Sequence, residues 1–185
     1  FEETVYTPPP LWYGNKRETA GYTAPKGGMD MEAKRITGTW FEFLHHNEAE
    51  GKYWNTALTA FSEKQWREKI REMKEAGMRY IALLATALHF KAYFKTRIFP
   101  EWEIGCADPI EVLLDEADRQ QMRVFISTGF YGDWMDPIGN MTDPAVLKRM
   151  LTAINELSAL YGHHESFYGW YYPDETWIKG HLSPE

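Results

Sequence analysis

From Ile36 onward the chain alternates short apolar runs of strand character with longer stretches whose apolar positions recur at helical spacing. The runs are ITGTWFEF (36–43), MRYIALLAT (78–86), MRVFISTGF (122–130) and FYGWYYP (167–173), and they start 42, 44 and 45 residues apart. Aromatic and β-branched side chains dominate them, as the half-buried surface of a sheet requires. The stretches between are punctuated as helices. Ser62 with Gln65 forms a capping-box pattern ahead of a helix that buries Trp66, Ile70 and Met73 and closes at Gly77. Asp108-Pro109 supplies a cap and a proline for the first helical turn, with Glu111 completing the box and Ile110, Leu113, Leu114 and Ala117 as the buried stripe. Asp143-Pro144 repeats the device, with Leu147, Met150, Leu151, Ile154 and Leu157 as apolar face and Gly162 as stop. Ser62, Asp108 and Asp143 are therefore read as caps.

Strand, long loop, helix and tight return, three times and then a fourth strand, describe βα units. Such units build parallel sheets through right-handed crossovers. Long loops before the helices place elaboration at the carboxyl ends of the strands, where α/β folds keep their sites. Strand one leads into LHHNEAEGKYWN, without GxGxxG or GxxxxGK[ST], so a nucleotide-binding open sheet loses its main signal. A (β/α)8 barrel takes about 250 residues. The spacing thus predicts an α/β fold of TIM-barrel type, with about the first four βα units in residues 36–185. Residues 1–35, rich in Pro and Gly (Pro8, Pro9, Pro10, Gly14, Gly21, Pro25, Gly27, Gly28), read as a lead-in that packs on the barrel through Trp12, Tyr13 and Tyr22.

Composition narrows the function classes. The 185 residues are 44% hydrophobic and 25% charged, ordinary for a globular domain. With 20 Lys+Arg against 27 Asp+Glu the net charge is −7, the wrong sign for gripping a phosphate backbone, so no nucleic-acid partner is expected. Cys106, the single cysteine, can form no internal disulfide, and no zinc spacing of Cys and His is present. The longest nearly apolar run, 80–90, is too short for a membrane span. No strand core carries a Lys for Schiff-base chemistry, and no cofactor is implied.

Candidate chemistry gathers at the strand ends. Gly38, Trp40 and Glu42 alternate onto one side of strand one, with Phe41 and Phe43 on the other. A carboxylate facing a layer of apolar helices is costly, so Glu42 is expected at the mouth, with a buried ion pair as the alternative. Strand three carries Ser127, read as a hydrogen-bonding core serine because no G-x-S-x-G surrounds it, and leads to Tyr131, Asp133 and Trp134. Strand four ends in Gly169-Trp170-Tyr171-Tyr172-Pro173-Asp174-Glu175, with Trp177 beyond. A carboxyl desolvated by rings has its proton affinity raised, which suits a general acid; helix capping by Asp174 or Glu175 is the alternative. Trp40, Trp102, Tyr131, Trp134, Trp170, Tyr172 and Trp177 fall at or beyond strand ends, where aromatic planes bury the flat faces of sugars or simply fill the mouth. His45-His46 and His163-His164 are adjacent pairs that diverge on an extended chain, so no metal site is expected. His89 suits a polar subsite contact, while Lys91, Arg97 and the mixed charges of Glu63, Lys64, Arg67 and Glu68 read as solvated faces.

With GTWFEF, FISTGFYGDW and GWYYPDE on strands one, three and four, residues 36–177 resemble a bacterial family of glycosidase-like barrels, a domain of unknown function, beside the clan-A (β/α)8 glycoside hydrolases. That resemblance implies Glu175 as general acid/base and Asp174 where clan-A enzymes carry Asn. Retaining chemistry needs a second carboxylate about 5–5.5 Å away, which clan-A enzymes take from strand seven. The expected function is hydrolysis of a glycan by Glu175, with Trp40, Glu42, His89, Tyr131, Trp134, Trp170, Tyr172 and Asp174 holding the oligo- or polysaccharide. A non-catalytic carbohydrate-binding barrel is the alternative, and a metal-dependent barrel enzyme a third. A glycan substrate implies a secreted or periplasmic protein, and an exposed half-barrel edge allows a homo-oligomer.

Overall fold

The computed structural model describes residues 35–44 and 56–173. Residues 1–35 and 36–185 were expected to divide the chain. The former fall outside the described residues, apart from Arg35.

Four strands form one parallel sheet in the order β1, β2, β5, β6: β1 (Gly38–Phe41), β2 (Tyr80–Leu83), β5 (Arg123–Ser127) and β6 (Phe167–Tyr171). Each neighbour in space is the next main strand in sequence, so the sheet is wound in one direction. A two-residue hairpin, β3 (Ala87–Leu88) and β4 (Lys91–Ala92), follows β2. The helices are α1 (Glu63–Glu75), α2 (Pro109–Arg119), α3 (Pro137–Thr142) and α4 (Pro144–Tyr161), with a 3-10 turn at Thr56–Ala60.

The caps do what their chemistry suggests. Gln65 Oε1 accepts from the Ser62 backbone N–H at 3.0 Å, Asp108 Oδ1 from Glu111 N–H at 3.0 Å, and Asp143 Oδ1 from Ala145 N–H at 2.7 Å. The Glu111 carboxylate, expected to complete a box, reaches His164 instead. Helix α3 repeats the Asp-Pro device with Asp136-Pro137, Asp136 Oδ1 accepting from Gly139 N–H at 2.9 Å.

Alternation along the strands sorts the sheet into two faces. Ile81, Leu83, Val124 and Ile126 are fully buried in one core with Ile70, Ile110, Leu113, Leu114, Ala117, Ala153 and Leu157 from the helices. Phe41 and Phe43 join this side, both rings edge-on to Trp66. Helix α4 presents Val146, Ala153, Leu157 and Tyr161 to the core, which turns the expected stripe by a fraction of a turn and leaves Leu151 exposed.

Arg67, read as a solvated surface charge, is instead 15% exposed and ties α1 to α2, its guanidinium 2.5 Å from Asp115 and 3.6 Å from Glu116. Glu116 is fully buried and also accepts from Arg71 at 3.0 Å and from Gln120 at 2.9 Å. These bonds hold its carboxyl below the ordinary range against the opposing effect of desolvation.

Candidate active site at the strand ends

The second face of the sheet carries rings. The Trp40 ring on β1 meets Tyr171 on β6 edge to face, centroids 4.8 Å apart, although β2 and β5 lie between them. In a flat sheet three strand intervals span about 14 Å, so the sheet curls and this face is concave. A bulge in β6 reinforces the effect. Val124 pairs with Phe167 and Phe125 with Gly169, leaving Tyr168 as the extra residue. Its ring lies against Phe125 (5.3 Å) and Tyr80 (6.3 Å), beneath the Arg123 guanidinium at 4.4 Å. Trp40, Tyr80 and Tyr168 remain 59%, 37% and 51% exposed, unlike Ile81, Leu83, Val124 and Ile126 on the opposite face.

At the carboxyl ends the backbone is held by a buried polar web. Gly129 N–H donates to Ser127 Oγ at 2.8 Å, Thr86 Oγ1 to the Ser127 carbonyl at 3.2 Å, and Thr128 N–H to the Tyr171 carbonyl at 2.8 Å. Ser127 is thus the core serine its context suggested. Gly129 has φ of +79°, and a Cβ there would stand 2.7 Å from the Tyr131 ring and 2.8 Å from Thr86 Oγ1. The Thr128 hydroxyl is buried with no hydrogen-bond partner among the described residues.

The expected site residues divide as follows. Trp40 lies on the concave face, and Glu42, half-buried just past β1, is close enough to Tyr93 for its charge to add to the burial that raises the phenol's pKa. His89 and Trp134 come together, rings 6.3 Å apart. Tyr172 is exposed after β6. Tyr131 is placed differently from expectation: it is 1% exposed, stacked on Phe99 and 3.3 Å from Thr86 Oγ1, with burial pushing its pKa up. It supports the strand ends from beneath, because its ring fills the space that Gly129 leaves. Trp170 also differs. The bulge sets it opposite Ile126 with its ring edge-on to Phe167, on the helix side. Asp174, Glu175, Trp177, His45 and His46 lie outside the described residues.

Sequence reasoning missed Tyr171 and Tyr168, whose inward aim follows from the bulge, and Tyr80, at the start of β2. It also missed the hairpin, whose turn residues His89 and Phe90 both take positive φ, 51° and 58°. Two-residue hairpin turns of this type are ordinarily marked by Asn-Gly, and His-Phe carries no such signal.

A separate group lies between α2 and the turn after α4. Glu111, His163 and His164 offer ligand atoms that all lie within 4.8 Å of one another. The adjacent histidines were expected to diverge. They occupy a turn, not an extended segment, and their rings sit 4.2 Å apart. Among the described residues no helix is long and apolar enough to cross a membrane.

No curated protein matches the chain. Among solved structures it is similar to one described as "a putative alpha-L-fucosidase" from Bacteroides thetaiotaomicron VPI-5482, at 19% identity and a TM-score of 0.54. The likeness covers 75% of this chain and 40% of that one, and at this identity it speaks for the fold alone. With residues 36–183 matched, the chain belongs to the family described as Domain of unknown function (DUF4434).

Proposed function

We propose that this chain contributes the first four βα units of a (β/α)8 barrel whose strand ends bind a glycan, and that Glu175 serves there as general acid/base in glycoside hydrolysis. The observation that carries the reading is the contact of Trp40 with Tyr171 across two intervening strands. A ring contact across that span supports a sheet that curls toward closure, with the ends of the first and fourth strands at one hollow. Single-direction winding and the exposed rings of Trp40, Tyr80 and Tyr168 on the concave face support the barrel, since a barrel packs that face against its remaining strands. The fucosidase-like fold of the Bacteroides structure supports a glycosidase and suggests an α-L-fucoside as the first substrate to try.

In this reading Glu175 protonates the glycosidic oxygen and then activates water, while a second carboxylate about 5–5.5 Å away acts as nucleophile if the enzyme is retaining. Trp40 and Tyr171 supply a stacking platform, with Glu42, His89, Trp134, Tyr172 and Asp174 around the sugar. A secreted or periplasmic location and self-association through the open barrel edge belong to the same proposal.

The test is hydrolysis of a panel of aryl glycosides, the α-L-fucoside first, by the longest natural form of the protein. Glu175→Gln should lower kcat by about 100-fold or more, as loss of a general acid does. Full turnover in that variant would remove Glu175 from the chemistry. Saccharide binding that survives Glu175→Gln, with no glycoside cleaved by the wild type, favours the non-catalytic binding barrel.

A further inference from the structure

We infer that Glu111, His163 and His164 form a binding site for a divalent transition metal of the zinc type, on the helix side of the sheet and separate from the strand-end hollow. His164 is the centre of the arrangement. Its ring is buried, with Nδ1 2.6 Å from Asp118 Oδ2 and Nε2 3.1 Å from Glu111 Oε2. Asp118 is committed on both oxygens, its Oδ1 accepting from Ser166 N–H at 2.6 Å. Asp118 therefore fixes the ring by accepting a hydrogen bond from Nδ1–H, and Nε2, which faces Glu111, is the nitrogen a metal would take in exchange for its proton. Metal-bound histidines are ordinarily oriented by such a carboxylate.

Glu111, His163 and His164 each bring one donor atom within 4.8 Å of the other two, a nitrogen and oxygen set that suits zinc. Zinc binds nitrogen and carboxylate oxygen at about 2.0–2.2 Å, which sets tetrahedral donors about 3.3–3.5 Å apart. The 3.1 Å between His164 Nε2 and Glu111 Oε2 lies just short of that spacing, and the other separations are at most 4.8 Å, so small side-chain rotations bring all three donors to it. Those that must rotate are free to: Glu111 is 44% exposed and His163 is exposed, which also gives the ion an entry path. Two His and one carboxylate leave a fourth position to water. A plain ion pair of His164 with its two carboxylates accounts for Glu111 and Asp118 but gives His163 no part. A metal accounts for all four residues. Such an ion would tie the first turn of α2 to the turn leading into β6, a brace for the sheet edge.

The test uses the whole chain, stripped with a chelator and titrated with Co²⁺ for its visible bands and with Zn²⁺ by calorimetry. One ion per chain is expected, with Zn²⁺ displacing Co²⁺ and raising the thermal midpoint. His163→Ala and Glu111→Gln change exposed groups, so the fold persists by circular dichroism while affinity drops at least about tenfold. Asp118→Asn should keep the stoichiometry and weaken binding about 10–100-fold. The inference is overturned by no saturable binding at millimolar Zn²⁺. Equal binding by wild type, His163→Ala and Glu111→Gln overturns it as well.

Discussion

The two faces of the parallel sheet differ in how they are finished. On the helix side, Ile81, Leu83, Val124 and Ile126 are fully buried beneath α1, α2 and α4, and a carboxylate buried in that layer, Glu116, is satisfied by Arg71 and Gln120 with Arg67 nearby. On the concave side, Trp40, Tyr80 and Tyr168 touch other rings yet keep much of their surface open. One face carries stability, and its apolar area is removed from water. The other holds large rings in place through curvature and a bulge while leaving much of their surface in water.

Substitutions can break this contrast, beginning with the strongest. Leu113→Ala opens a cavity in the sealed layer and should cost about 2–5 kcal/mol of unfolding free energy by urea titration. Gly129→Ala acts where the chain leaves β5. The added methyl meets Tyr131 and Thr86 at a positive φ, and a loss of about 1–3 kcal/mol is expected in the same assay.

Glu116→Gln should cost about 1–3 kcal/mol at neutral pH, by weakening charge-assisted bonds to Arg71 and Arg67. Its pH dependence gives the sign. The folded carboxyl titrates below its ordinary 4.5, so the stabilisation is present above that value and disappears as pH falls through the lower folded one. The gap between wild type and Glu116→Gln should accordingly narrow in acid, and a gap that widens would contradict the assignment. Trp40→Ala, on the open face, should change stability by no more than about 1 kcal/mol, the scale of one ring pair. If it cost as much as Leu113→Ala, the concave face would be a structural layer like its opposite.

The elements were legible where a local rule decides them. Ser62 with Gln65, Asp108-Pro109 and Asp143-Pro144 mark helix starts because caps satisfy backbone donors within three residues of themselves. Asp136-Pro137 caps α3 in the same way, although it was not among the caps read from the sequence. Four evenly spaced apolar runs gave the parallel, sequentially wound sheet, since a right-handed crossover leaves little other choice.

What a side chain faces at the site was a different matter. A single extra residue, Tyr168, shifts the alternation of β6, so Tyr171 joins Trp40 and Trp170 turns to Phe167. The left-handed conformation at Gly129 puts Tyr131 under the strand ends, and a turn after α4 brings together two histidines that an extended chain would part. The sequence by itself determined the caps, the four strands of the parallel sheet and their winding, because these follow from bonds between near neighbours and from the period of apolar residues. Tertiary structure alone decided which rings share the concave face and which carboxylates meet His164, because those meetings join positions about 50 to 130 residues apart in the chain, across which no local period carries information.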